Sequence, residues 1–247
     1  MEKLTRKYPG LITPIQLCLT LTLYIQCAII IGISMFPSVY AVYAYWQGTV
    51  AWPIVLRLFV LSIVVSLAFF LYCVVVIFVV PFFRWLMRLN IQEGRYYYFS
   101  WPAIQWATYN SLILIVRYTC INFLRVTPLI VLFHRMMGAK IGRNVQINTA
   151  IIGDSCLLEI GDNTAVGGDV TLVAHLAEHN ELVVKKVKIG KNCTLGIMAI
   201  IVPGVEIGDG VMVAAGTVFK KDTVAPSHTV WAGVPARQLG PLNPSSF

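Results

Sequence analysis

The sequence predicts a transmembrane α-helical hairpin with interfacial helices behind it, followed by an all-β parallel β-helix. Two observations support the helical half: the 247-residue chain is 57% hydrophobic and only 12% charged, and its first third contains two long uncharged runs. The third observation is a six-residue repeat in the second half, which predicts the β-helix. A soluble domain of this size carries about twice the charge.

The two uncharged runs predict membrane spans at residues 11–36 and 58–83. No charged residue occurs between Tyr8 and Leu56, and each run exceeds the ~20 apolar residues that a spanning helix needs. A cleaved signal peptide is the alternative for the first run, but its apolar region is about 7–15 residues long. Residues 1–95 are therefore predicted to form a retained hairpin.

Basic residues predict the orientation of this hairpin. They cluster on both sides of it, at Lys3, Arg6, Lys7, Arg84, Arg88 and Arg95. The connection between the two runs, around Pro37–Pro53, carries no charge. By the positive-inside rule, the chain is predicted to be integral to the inner (cytoplasmic) membrane, with both termini and the β-helix on the cytoplasmic side.

The charge distribution also bears on binding partners. Residues 1–133 hold nine basic and two acidic side chains, whereas residues 134–247 hold ten and nine. Basic residues beside apolar runs fit contact with anionic lipid head groups, and nucleic-acid binding instead needs a basic face on a soluble domain. The six cysteines form no CxxC pair and are interpreted as small apolar side chains. Membrane lipid is therefore a predicted partner and nucleic acid is not.

Residues 96–138 are predicted to form an amphipathic linker at the membrane interface. Asn110, Arg117 and Arg125 fall within one sector of a helix whose remainder is apolar and aromatic, as in helices that lie on a leaflet. The helix is expected to break before Pro128, because the residue preceding a proline disfavours the helical conformation.

An aliphatic or aromatic residue then recurs every six positions, at Ile189, Leu195, Ile201, Ile207, Val213 and Phe219. Earlier members of the repeat slip by one residue between Ile147 and Ile160. Each flat strand directs one such side chain into a narrow interior, and three hexads complete one coil. A β-sandwich alternates with period two instead. The β-helix is therefore predicted for residues 139–240, with residues 241–247 as a tail.

Five blocks of the second half carry a family resemblance: Val187–Gly190, Pro203–Gly210, Ala215–Thr217, Lys220–Asp222 and Trp231–Arg237. Their order resembles the C-terminal signature of the hexapeptide-repeat acyltransferases, in particular the galactoside, maltose and streptogramin acetyltransferases. The resemblance implies a left-handed β-helix, acyl transfer and a homotrimer. The join Phe133–Gly142 also resembles the membrane-attached domains at the C-terminus of polylysine-synthetase-type peptide synthetases.

The repeat is interrupted between Leu172 and Ile189, so part of this stretch is expected to leave the coil as a loop. In the acetyltransferases that the chain resembles, a histidine in this place is the general base, which implies that role for His175. Imidazole suits the task because its pKa lies near neutrality. Glu178 and His179 are candidates to orient His175 or contact substrate, although a solvated loop would carry such residues anyway.

The resemblance also implies the acyl donor, an acyl-CoA or a carrier-protein phosphopantetheine thioester, with no metal. The pantetheine arm is expected along Gly196 and Ala215, and cationic side chains are expected to meet the phosphates. These cations are Lys220, Lys221 and Arg237. The acceptor is predicted to be a hydroxyl or amine, lipid-linked or delivered by a membrane-associated assembly line or carrier protein.

Two alternatives remain open at this stage. Carbonic-anhydrase-like proteins of this fold hold zinc with three histidines, of which His175 and His179 supply two and no third is evident. The second alternative is a non-catalytic membrane scaffold that uses the solenoid only as a docking face. His134 and His228 lie outside the interrupted stretch and receive no role.

Overall fold

The computed structural model describes residues 9–242. A short 3-10 turn at Pro9–Leu11 leads into two long antiparallel helices, α1 (Ile12–Gly48) and α2 (Ile54–Leu86). Both are long and apolar enough to cross a membrane. The predicted span 58–83 falls inside α2, and the span 11–36 falls inside α1 except for Leu11, which ends the 3-10 turn. Lys3, Arg6 and Lys7 lie outside the described residues, and so does most of the predicted tail.

The connection between the two helices is shorter than the sequence suggested. Pro37 lies inside α1 and does not end it, so only residues 49–53 link α1 to α2. Proline is tolerated within apolar membrane helices because neighbouring groups satisfy the backbone that it frees. Next to Pro37, the hydroxyl of Ser38 donates to the carbonyl of Ala68 at 2.7 Å and so links α1 to α2. At the closed end of the hairpin, the guanidinium of Arg57 lies 3.4 Å from the ring centroid of Trp46.

The linker forms one strand and three helices, β1 (Gly94–Tyr97), α3 (Trp101–Thr119), α4 (Ile121–Leu124) and α5 (Pro128–Met136). The expectation of a single helical sector is therefore wrong for Arg125, which follows α4 and pairs with Asp169 at 2.8 Å. Helix α3 ends at Thr119, earlier than the sequence predicts, because the backbone of Cys120 leaves the helical region, at φ −140°. The predicted break before Pro128 is present, and Thr127 caps α5 by accepting from the amide of Leu129.

Helix α3 packs lengthwise against both long helices. Its buried face includes Tyr109, Leu112, Ile113 and Val116, and the phenol of Tyr72 on α2 donates to the hydroxyl of Thr119 at 3.1 Å. The linker is thus joined to the hairpin on one side and to the β-helix on the other.

The second half is built mostly from two- and three-residue strands. In chain order they are β2 (Lys140–Ile141), β3 (Gln146–Ile147), β4 (Leu158–Ile160), β5 (Ala165–Val166), β6 (Thr171–Leu172), β7 (His175–Glu178), β8 (Glu181–Val184), β9 (Val187–Ile189), β10 (Thr194–Leu195), β11 (Ile200–Ile201), β12 (Glu206–Ile207), β13 (Met212–Val213), β14 (Val224–Ala225), β15 (Thr229–Ala232) and β16 (Arg237–Pro241).

Most of these strands form the three faces of a parallel β-helix. One sheet stacks β2, β4, β9, β12 and β14, the second stacks β3, β5, β10, β13 and β15, and the third pairs β6 with β11. Partners on adjacent coils, such as Lys188 and Glu206, are 18 residues apart, which confirms three hexads per coil. The repeated aliphatic residues fill the interior, where Ile147, Leu172 and Ile201 are all fully buried.

Glycines at the corners allow the coils to stack closely. A Cβ atom on Gly167 would lie 2.6 Å from the carbonyl oxygen of Leu195 on the next coil, whereas one on the neighbouring Gly168 would meet nothing closer than 3.7 Å. Close stacking therefore requires glycine at position 167, whereas position 168 has room for a Cβ atom.

This pair gives a matched test of the coil geometry. Gly167→Ala is expected to destabilise the fold by about 1–3 kcal/mol because backbone must move to admit the methyl group, whereas Gly168→Ala should have little effect. Thermal unfolding of the two purified variants measures the difference in Tm. Equal Tm values for both variants would contradict the close stacking at Gly167.

Candidate active site

The interrupted repeat leaves the coil as a β-hairpin at the corner that follows β6. Strands β7 and β8 pair antiparallel, and β1 from the linker adds to β8 as a third strand. His179 and Asn180 form the turn, both in the left-handed region at φ 47° and 64°, as a two-residue hairpin turn of this type requires. The prediction that this stretch leaves the coil is confirmed.

His175 begins the hairpin, directly after the fully buried Ala174, and its side chain is 30% exposed. Its Nδ1 lies 2.5 Å from the Oδ2 of Asp154. An ionised carboxylate only accepts hydrogen bonds, so Nδ1 carries the proton and Nε2 keeps a lone pair. A histidine held in this tautomer is suited to remove a proton from a substrate.

Asp154 is fully buried and has all of its hydrogen-bonding capacity occupied. Its Oδ2 also accepts from the backbone amide of Ala174 at 3.1 Å. Its Oδ1 accepts from the indole Nε1 of Trp106 at 2.8 Å and from the side-chain amide of Asn110 at 2.9 Å. Burial alone would raise the pKa of Asp154, but the hydrogen bonds from His175, Asn110 and Trp106 outweigh it and lower that pKa. The group is therefore a carboxylate at neutral pH.

Trp106 and Asn110 lie on α3, so the helical half supplies part of the site. The indole ring of Trp106 also packs edge-on against the imidazole of His175, with ring centroids 4.7 Å apart. Gly153 lies against this cluster. A Cβ there would be in van der Waals contact with Cγ1 of Val173 at 3.6 Å and with the Oδ1 of Asn110 and the Cε1 of His175 at 3.8 Å.

Sequence reasoning missed Asp154, Trp106 and Asn110 as parts of a site. Asn110 was interpreted as one polar residue of an interfacial helix. A signal for Asp154 was nevertheless present, because the one-residue slip between Ile147 and Ile160 marks its corner. There Asp154 takes a left-handed backbone conformation, at φ 50°, and a 3-10 turn at Ser155–Leu157 follows.

Glu178 and His179 lie farther along the hairpin and do not orient His175. The carboxylate of Glu178 instead pairs with Lys221 at 2.5 Å and approaches Arg95 at 3.6 Å, and the hydrogen bond from Lys221 lowers the pKa of Glu178. His179 is exposed at the turn. The orienting role considered for these two residues belongs to Asp154 in the structure.

The residues predicted to bind the donor occupy other corners of the coil. Gly196 and Ala215 stack on adjacent coils, and a Cβ on Gly196 would lie 2.5 Å from the amide nitrogen of Ala215. Lys220 and Arg237 are exposed. Lys221 is engaged by Glu178, so the structure brings it to the hairpin.

The sequence gives no role to the remaining histidines, His134 and His228. His134 is fully buried, which lowers its pKa to about 3, and its Nδ1 lies 2.8 Å from the hydroxyl of Ser155. It packs α5 against the corner that bears Asp154. Among residues 9–242, no group of three or more histidine, cysteine or acidic side chains is arranged to hold a metal ion.

The geometry defines a class of protein, a parallel β-helix whose corner carries a histidine oriented by a buried carboxylate. Comparison with known proteins narrows that class. Residues 186–221 match the family model described as bacterial transferase hexapeptide (six repeats). The candidate acetyltransferase YvoF of Bacillus subtilis is 31% identical over 53% of this chain and 81% of its own length. The chain belongs to the hexapeptide-repeat acyltransferase family.

Two other relatives share only part of their length with this chain. The galactoside O-acetyltransferase of Escherichia coli is 37% identical over 42% of this chain and 54% of its own length. The delta-poly-L-ornithine synthetase of Acinetobacter baumannii is 28% identical over 64% of this chain, but the match spans only 12% of that enzyme. The match to the synthetase covers more of this chain than either acetyltransferase match does.

The assigned tautomer is open to direct measurement. In protein labelled with ¹⁵N-histidine at pH 8, the His175 resonance, identified by its loss in His175→Gln, should be that of the Nδ1–H tautomer. Asp154→Ala should release the ring to the Nε2–H tautomer, because no carboxylate then accepts from Nδ1. An Nε2–H tautomer in the wild-type protein would contradict the arrangement.

Proposed function

We propose that the protein transfers an acyl group from a thioester to a hydroxyl or amine acceptor at a membrane, with His175 as general base. The pairing of His175 with the buried Asp154 carries this proposal, because it leaves Nε2 free to accept a proton at a half-exposed corner. Membership of the acyltransferase family supports the reaction class.

The chemistry follows from the tautomer. Nε2 of His175 accepts the proton of the acceptor's O–H or N–H as its oxygen or nitrogen attacks the thioester carbonyl carbon. The tetrahedral intermediate collapses with cleavage of the C–S bond, and the imidazolium returns the proton to the departing thiolate. Asp154 remains ionised throughout and stabilises the imidazolium that forms transiently.

The donor is proposed to be an acyl-CoA or a phosphopantetheine thioester. Gly196 and Ala215, which lack bulky side chains and stack on adjacent coils, support a narrow path for the pantetheine arm. Lys220 and Arg237 are exposed cations available to the phosphates. Lys221 is assigned to holding the hairpin through Glu178. The resemblance also leads us to propose a homotrimer.

The proposed topology places the β-helix on the cytoplasmic side. Arg84, near the end of α2, donates to the carbonyl of Met136 at the end of α5 at 3.3 Å, so the basic end of the hairpin and the start of the β-helix coincide. Arg57, at the other end, is 9% exposed and covers Trp46. This asymmetry supports the positive-inside orientation.

Removing the base tests the reaction directly. His175→Ala should lower the transfer of label from [¹⁴C]acetyl-CoA into the lipid extract of membranes containing the protein at least 100-fold, as expected for loss of a general base. His228→Ala, which alters an exposed histidine elsewhere, is the control. Activity of His175→Ala within a few-fold of wild type would contradict the assignment, and the same assay on His179→Ala decides whether that residue contributes.

Changing the orienting carboxylate tests the pair. Asp154→Asn should lower kcat on the order of 10²–10⁴-fold, because the amide can donate to Nδ1 and so favour the wrong tautomer. The KM for acetyl-CoA should change little, since Asp154 is buried away from the proposed donor path. An unchanged kcat would show that the carboxylate has no part in the reaction.

A further inference from the structure

An apolar groove of about 500 Å³ runs between α1 and α3. One wall is formed by Leu23, Tyr24, Cys27 and Ile31 of α1, and the other by the face of α3 between residues 106 and 119. The groove opens outward between Tyr24 and Tyr118, whose side chains are 67% and 76% exposed. We call it the α1–α3 groove.

The inner end of the α1–α3 groove reaches the catalytic pair. Trp106 and Asn110, which line the groove, are the residues that hold Asp154. Trp106 also packs against His175, with ring centroids 4.7 Å apart. A molecule in the groove therefore has its inner end against the two side chains that hold Asp154, one residue away from His175.

The outer end continues into a second apolar cavity, of about 620 Å³, between α1 and α2. The two cavities share Ile31 and Thr119. Together they follow α1 from Leu23 to Val42, which is roughly 28 Å at 1.5 Å per helical residue. That length is close to the ~30 Å thickness of the hydrocarbon core of a bilayer.

The walls offer almost nothing to a polar ligand along this path. The hydroxyls of Ser111 and Thr119 are directed to carbonyls of their own helix, Thr108 at 2.7 Å and Ile115 at 2.7 Å. Beyond the phenols of Tyr24 and Tyr118 at the opening, the polar side chain that lines the groove is Asn110, at the inner end. A long hydrocarbon chain with one polar end matches this distribution, and α1 and α2 are apolar enough to lie in a membrane.

We infer that the α1–α3 groove binds the hydrocarbon chain of a lipid acceptor and presents its hydroxyl or amine to His175. This inference rests on the proposed function and specifies its substrate class. The chain of the acceptor is favoured over that of an acyl donor because the proposed donor residues lie elsewhere. Gly196 follows β10, on the corner between the second and third sheets, whereas His175 follows β6, on the corner between the third and first sheets.

This inference is tested with acetyl-CoA and full-length protein in phosphatidylcholine nanodiscs. The acceptors are two series, alkylamines and alkyl glucosides, each with alkyl chains of two, eight and sixteen carbons. The wild type should show kcat/KM at least 10-fold higher for sixteen carbons than for two. Cys27→Phe, which fills the groove, should reduce this ratio at least 10-fold. Ala28→Phe, on the exposed face of the same helix, should leave it unchanged. A ratio that Cys27→Phe leaves unchanged would overturn the inference.

Leu114→Trp provides a second groove variant that is expected to fold, because Leu114 is 41% exposed at the rim. The ratio of palmitoyl-CoA to acetyl-CoA use with a two-carbon acceptor is measured in parallel. If the groove variants reduce that ratio and spare the acceptor ratio, the groove holds the donor chain and the inference is wrong.

Photocrosslinking separates this inference from the proposed function because it needs no turnover. A diazirine-bearing hexadecylamine in the same nanodiscs should label residues 23–31 and 106–119 in the wild type and in Ala28→Phe, and at least 10-fold less in Cys27→Phe. Even labelling of all exposed helix faces would overturn the groove. Selective labelling without transfer to any acceptor would contradict the proposed function, and the acceptor assignment with it.

Discussion

The arrangement of this molecule depends on one buried carboxylate. Asp154 accepts four hydrogen bonds, two from α3 and two from the segment that begins the hairpin. Leaving a buried charge without such partners is costly, typically more than the 1–3 kcal/mol of a neutral polar group. The helical half and the β-helix are therefore held together at the point where the histidine is oriented, and neither half completes the site alone.

This dependence gives the helical half a part in the candidate site. If α1 and α2 were only attached to an independent β-helical domain, no side chain of the linker would need to enter the corner that bears His175. Instead, Trp106 and Asn110 donate to the buried carboxylate and also line the α1–α3 groove. In the proposed reaction, the same short stretch of α3 positions both a substrate chain in that groove and the proton-accepting nitrogen of His175.

The sequence was most informative where the chain repeats. Three hexads per coil, the departure of residues after Leu172 from the coil and the two long helices all follow from periodicity or composition, which are local properties. The slip in the repeat marks the corner that bears Asp154 but does not identify this residue as the partner of His175. Asp154 lies one coil earlier, and two of its hydrogen-bond donors, Trp106 and Asn110, are more than 40 residues away on a helix. The continuation of α1 through Pro37 and the early end of α3 at Cys120 likewise depend on packing between helices.

The central claim is that the helical half positions the catalytic pair through Asp154, and a double-mutant cycle tests it most directly. Trp106→Phe keeps an aromatic side chain but removes the indole N–H that donates to Oδ1. The measured quantity is kcat for Trp106→Phe, Asp154→Asn and the double variant. The account predicts that Trp106→Phe lowers kcat about 10-fold in the wild-type background and has no further effect once Asp154 is changed. Equal effects in both backgrounds would show that Trp106 acts independently of the carboxylate and would contradict the claim.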